Sequence, residues 1–96
     1  MFAVVYRWKL KPGKEHDFQR AWAALTDEFI ESHGGLGSRL HRGDEGLWLA
    51  YARWNDRQSW EREKEIQNQE ALSTMKQCIS ERFPPLPLDI TEDKLV

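Results

Sequence analysis

Residues 47–54, Leu-Trp-Leu-Ala-Tyr-Ala-Arg-Trp, constrain this chain more than any other stretch. Read as a strand, they put Trp48, Ala50, Ala52 and Trp54 on one face and Leu47, Leu49, Tyr51 and Arg53 on the other. Both faces are mainly apolar. A strand of this kind needs cover on both sides of its sheet, and water serves neither side.

The neighbouring segments show what can supply that cover. Phe2, Val4, Tyr6, Trp8 and Leu10 alternate with Ala3, Val5, Arg7 and Lys9, which predicts a first strand over 2–10. Lys11-Pro12-Gly13 ends it. Phe18, Ala21, Trp22, Leu25 and Phe29 form one helical stripe, predicting a helix over 14–31. Ser32-His33-Gly34-Gly35 stops that helix. Segments 36–42 and 47–54 read as two strands joined by Gly43-Asp44-Glu45-Gly46, a hairpin signal. Asn55-Asp56, with Gln58 following, offers a helix start. That helix is expected to run to about residue 64. It is expected to resume past Gln67-Asn68 with Leu72, Met75, Cys78 and Ile79 as its apolar edge, and to end before Phe83-Pro84-Pro85. Residues 86–90 alternate weakly, and Pro87 assigns them to an edge strand.

The order is strand, helix, strand, strand, helix, strand. It predicts one α+β domain over residues 1–96, ferredoxin-like βαββαβ, with an antiparallel sheet and helices on one face. The other sheet face is then left to a second copy of the chain, so a homodimer is expected.

Charge and composition exclude several classes. The chain has 14 basic and 16 acidic residues among 96. It has no basic surface for nucleic acid, and its third strand lacks the basic-glycine-aromatic pattern of a nucleic-acid sheet reader. No apolar run is long enough for a membrane span. The N-terminus has no basic region before its apolar residues, so no signal peptide is expected and the cytoplasm is the expected location. Cys78 is the only cysteine, and the three histidines lack ligand spacing. No metal site is expected.

Aromatic residues carry the functional signal. Four of the five tryptophans fall between Trp8 and Trp54. Ala50 and Ala52 lie between Trp48 and Trp54 on one strand face, and small side chains there leave room for a cavity. Trp54, Trp60, Trp48 and Trp8 are the candidate walls for a flat ligand. Tyr6, on the face of Trp8, is a candidate proton relay. His41 is the natural general base if it faces the cavity, with Arg39 beside it for an anion. Their face depends on the hairpin. An even loop puts Arg39 and His41 on the Trp54 side, and an odd loop puts them on the opposite side.

The ordered set Lys11-Pro12-Gly13-Lys14, Phe18, Trp22, Gly35-Leu36-Gly37-Ser38, Tyr51-Ala52-Arg53-Trp54 and Asn55-Asp56-Arg57-Gln58-Ser59-Trp60 resembles the antibiotic biosynthesis monooxygenase family of the dimeric α+β barrel superfamily. The resemblance spans nearly the whole chain. It implies a dimer with an aromatic pocket between sheet and helices. It also implies oxidation of a flat aromatic or hydrophobic molecule by oxygen without flavin, haem or metal. Trp54 matches the family's tryptophan that closes the third strand. Trp60 stands where quinone-forming members have a tyrosine, and Ala50 stands where they have an asparagine. A haem-degrading branch needs an asparagine, a tryptophan and an axial histidine where this chain has Tyr6, Glu63 and Ser73, so haem chemistry is not expected. The alternative to an enzyme is a non-catalytic dimeric module that binds a small molecule or another protein.

Overall fold

The computed structural model describes residues 1–95. Strand β1 (Phe2–Leu10) leads through the turn at Pro12-Gly13 into helix α1 (Glu15–Ser32). Strands β2 (Gly35–Arg42) and β3 (Leu47–Trp54) follow, joined by a short 3-10 turn. Helices α2 (Arg57–Glu61) and α3 (Gln69–Cys78) come next, then strands β4 (Ile79–Arg82) and β5 (Leu86–Asp89).

All pairings are antiparallel. The sheet runs β2-β3-β1-β4, and β5 also pairs with β1. The long strand β1 is thus central: β3 covers one edge, and β4 and β5 divide the other. This is the expected ferredoxin-like α+β fold.

The core forms where the sequence alternation points. Trp8, Trp48 and Ala50 pack with Phe18 of α1 and Cys78 of α3. The Phe18 ring meets Trp8 edge-on at 5.2 Å and Trp48 at 6.0 Å. Burying Phe18 alone contributes about 1.5–3 kcal/mol. Ala21 and Leu25 of α1 face Ala71 of α3, where small residues let the two helices approach.

Gly35 and Gly37 fit β2 under the end of α1. A Cβ at Gly35 would lie 3.3 Å from Phe29 atoms. Gly37 has φ +116, a conformation that side chains disfavour, where the β2–β3 register shifts.

Two expectations about boundaries are corrected. Residues 79–82 form β4, whereas the apolar edge predicted continued helix. The unpaired edge of β1 decides this: Leu10 pairs with Ile79 and Trp8 with Arg82, and the Lys11 N–H donates to the Cys78 carbonyl at 2.8 Å. The second helix is also shorter than expected. It is capped by Asp56, whose carboxylate accepts from the Ser59 N–H at 2.7 Å, and ends at Glu61.

Helices cover one face of the sheet. The opposite face carries Val5, Leu49 and Tyr51, together with Leu86 and Leu88, which are 42% and 44% exposed. Among the described residues, no helix is long and apolar enough to cross a membrane.

Candidate active site

A cavity of about 200 Å³ lies between the sheet and α1. Trp8, Ala52 and Trp54 form its floor, and Trp22, Leu25 and Phe29 form its roof. Tyr6, Ser38, Met75 and Arg82 also line it. Register explains the floor. Tyr6 pairs with Ala50 and Trp8 with Trp48, and Ser38 pairs with Ala52, so all these side chains point toward the helices. The roof is the α1 stripe, whose 3.6-residue period brings Trp22, Leu25 and Phe29 over the sheet. The alanine at 52 leaves the space that a larger side chain would fill.

Tyr6 is the central polar group. Its ring stacks on Trp8 with centroids 6.0 Å apart and planes 10° apart. Its hydroxyl oxygen accepts a hydrogen bond from the Trp60 indole N–H at 3.0 Å. Burial pushes the Tyr6 phenol above its ordinary value, while the indole N–H groups of Trp60 and Trp54 pull the other way. The Trp54 N–H leans toward the phenol without completing a hydrogen bond, and it has no partner among the described residues. The net result is a phenol that stays protonated near neutral pH. Its oxygen is already engaged, so its own hydrogen is free to be donated into the cavity.

Trp54 is held on both sides. The Phe29 ring packs against it at 6.0 Å, and Lys64 Nζ lies 4.7 Å from its ring centroid. Lys64 also donates to the carbonyls of Trp60 and Arg62 at 2.6 and 2.7 Å, fixing the chain after α2 over the indole. Burial and the nearby Arg62 charge lower the Lys64 pKa. The charge run 61–65 reads as a solvated helix face, but Lys64 lies beyond the helix and over an aromatic ring.

The structure does not gather all the candidate residues. Tyr6, Trp8 and Trp54 line the cavity, while Trp60 stands behind Tyr6 and holds its hydroxyl. Trp48 is corrected as a wall: it is 5% exposed and packs against Phe18, with the Arg42 guanidinium over its ring at 5.8 Å. His41 and Arg39 are corrected as cavity residues. They pair with Leu49 and Tyr51, on the face away from α1. The cause is loop parity. Arg42 pairs with Trp48, so residues 43–47 form a five-residue connection, closed by the Gly43 N–H donating to the Leu47 carbonyl at 2.7 Å. One residue more than the expected four moves every β2 side chain to the other face. His41 Nδ1 instead contacts the Leu49 carbonyl at 3.2 Å.

Sequence reasoning missed two groups. Ser38 entered only as part of a glycine-rich strand opening, yet its hydroxyl is buried in the cavity wall with no partner among the described residues. Trp22 and Phe29 were legible as a core stripe, but nothing in their spacing distinguishes a roof from a core. Among the described residues, no carboxylate, imidazole, amine or thiol lines the cavity. Nor do three His, Cys, Asp or Glu side chains cluster as metal ligands among these residues.

The family model for antibiotic biosynthesis monooxygenases matches residues 1–65, which hold β1 through α2 and the polar centre of the cavity. The chain belongs to this family. Solved structures share the fold over nearly the whole chain. SnoaB, a cofactor-independent oxygenase from Streptomyces nogalater, superposes with a TM-score of 0.78 at 12% identity, covering 97% of this chain and 95% of that one. A candidate antibiotic biosynthesis monooxygenase from Bordetella bronchiseptica gives 0.76 at 20% identity, covering 99% and 97%. Rv0793 from Mycobacterium tuberculosis gives 0.75 at 11% identity, covering 98% of each chain. At these identities the likeness speaks for the fold alone. No curated protein matches this chain in sequence.

Proposed function

We propose that this protein is a cofactor-independent monooxygenase acting on a small, flat, ionisable aromatic molecule held in the cavity between sheet and α1. One observation carries the reading: an aromatic-walled cavity in which a protonated phenol, Tyr6, is gripped from behind by the Trp60 indole N–H.

The chemistry follows from what the walls offer. A phenol or enol bound here ionises to an electron-rich anion. That anion gives an electron to dioxygen, and the two radicals recombine at a ring carbon bearing hydrogen. Loss of water from the resulting peroxide leaves a carbonyl. One oxygen atom ends on the ring and the other in water, so a phenol with a free para position gives a quinone. The walls orient the ring and exclude water, and donor groups stabilise the anion. Trp54 faces the ring and brings an indole N–H, while Tyr6 donates its hydrogen to the developing negative charge or to the departing oxygen.

The lining offers the guanidinium of Arg82, which cannot take up a proton, but among the described residues no carboxylate, imidazole or amine to act as a base, and this supports a second reading. Without an internal base, the substrate must release its own proton to solvent. A molecule that cannot do so would simply be bound, as by a non-catalytic module. The two readings separate by oxygen uptake with a panel of small phenols and hydroquinones. Uptake above the spontaneous rate, reduced by Tyr6→Phe, supports the enzyme. Ligand binding with no such uptake supports the module.

The assembly we propose is a homodimer joined through the helix-free sheet faces. Val5, Leu49, Tyr51, Leu86 and Leu88 form an apolar surface there that a second copy would bury. His41 and Arg39 would then lie at the rim of that interface, away from the cavity.

A further inference from the structure

The cavity holds a polar group that the oxygenase reading does not use. Ser38 Oγ is wholly buried and makes no hydrogen bond to any described residue. The Trp54 indole nitrogen is in the same condition, in a residue only 4% exposed. The two groups share one wall. Ser38 lies directly across the β2–β3 ladder from Ala52, two residues before Trp54 in β3. Ala52, its cross-strand partner, fills little of the space beside the hydroxyl. Buried polar groups are almost always satisfied, so two orphans on one wall of a cavity whose floor and roof are mainly aromatic point to a ligand that satisfies them.

The donor chemistry restricts that ligand. An indole N–H only donates, and a serine hydroxyl can donate as well. Together they suit an oxygen that accepts: a ketone, a quinone or a phenolate. The size restricts it further. A dry cavity of about 150 Å³ accepts one benzene ring. A cavity of about 200 Å³ therefore encloses one substituted ring or two fused rings.

We propose that Ser38 is the specificity-determining residue of this cavity, selecting one- or two-ring aromatic molecules by a hydrogen bond to a carbonyl or phenolate oxygen. The proposal rests on the reading of the cavity as a flat-ring site but does not require turnover. It also gives a reason for a hydroxyl, rather than a methyl group, at this wall. Removing it should cost affinity only for ligands that carry the oxygen.

The test is calorimetric titration of the full chain with 1-tetralone and with tetralin, which has the same two rings and no oxygen. Ser38→Ala removes the hydroxyl with little change in volume, and Ser38→Thr keeps it. We expect the wild-type protein to bind 1-tetralone at least tenfold more tightly than tetralin. We expect Ser38→Ala to abolish most of that preference without weakening tetralin binding, and Ser38→Thr to retain it. Equal affinity for the two compounds, or a preference unchanged in Ser38→Ala, would overturn the role of Ser38 and leave the flat-ring reading standing. Failure of the wild-type protein to bind either compound would overturn both.

Discussion

The Trp60 indole N–H donates to the Tyr6 hydroxyl at 3.0 Å, joining the first strand to the short helix α2 across 54 positions of sequence. The contact orients the one phenol of the cavity and leaves its hydrogen free. Trp60→Phe keeps the packing against Phe2 but removes the donor. We expect it to destabilise the fold by about 0.5–1.5 kcal/mol, the ordinary worth of such a bond. It should also raise the Tyr6 pKa further, since the indole favours the phenolate. Ultraviolet phenol titration of the variant, with Tyr6→Phe as the blank, checks the direction.

The same phenol predicts an alkaline limit to stability. Burial raises the folded pKa of Tyr6 above its unfolded value near 10. Its contribution is therefore complete below about pH 10 and is lost as pH rises toward the folded value. The stability gap between wild type and Tyr6→Phe in thermal melts should be largest near neutral pH and close in alkali, with a steeper alkaline decline for wild type. Parallel declines would contradict the assignment.

An acid limit is expected at the other end of the fold. The Glu28 carboxylate accepts the backbone N–H groups of Gln67 and Asn68, both at 2.8 Å, and contacts His33 Nε2 at 3.0 Å. These bonds, chiefly the two backbone ones, hold its pKa below the ordinary value of 4.5. A depressed carboxylate stabilises the fold above its unfolded pKa, and that stability is lost as pH falls through the folded one. The loss should begin below about pH 4.5. Glu28→Gln should be less stable than wild type at pH 7, with the gap closing as pH falls below 4. Hydrogen exchange at Gln67 and Asn68 should quicken in the variant.

The helix-free sheet face gives a prediction about assembly. Leu88 pairs with Ala3 and points away from the helices, 44% exposed. Sedimentation should show a dimer at micromolar concentration for wild type and a monomer for Leu88→Lys, because a buried unpaired charge opposes association. A wild-type monomer would remove the sheet-face interface.

The strand-helix-strand-strand order through residue 54 and the sheet face of the aromatic walls are legible in the sequence because each rests on periodicity. Tyr6, Trp8 and Trp54 fall on one sheet face by alternation alone. Periodicity does not count loop residues. Whether His41 points at the cavity turns on a single extra residue in the 43–47 connection, and no side chain there announces it. The 79–82 strand was equally hidden, since Leu72, Met75, Cys78 and Ile79 fit a helix until the open edge of β1 claims Ile79. Ser38 and Lys64 escaped for a different reason. A hydroxyl in a glycine-rich strand and a lysine in a charge run look solvated until the tertiary structure buries one and lays the other over Trp54.

His41 supplies a control for the whole placement. It lies on the sheet face opposite Tyr6, so His41→Ala should leave oxygen uptake within about twofold of wild type. A loss of the 10²–10⁴-fold expected for a general base would restore it to the mechanism.

The most direct test of the central claim is turnover of 1-naphthol under ¹⁸O₂, with uptake followed by electrode and the product by mass spectrometry. The account predicts 1,4-naphthoquinone carrying one ¹⁸O atom, formed above the spontaneous rate by the wild-type protein. It predicts a marked fall in Tyr6→Phe. In Trp54→Ala, ring binding should weaken by about 1–3 kcal/mol, the worth of one stacking partner. Uptake at the spontaneous rate, or a rate indifferent to both substitutions, would contradict it.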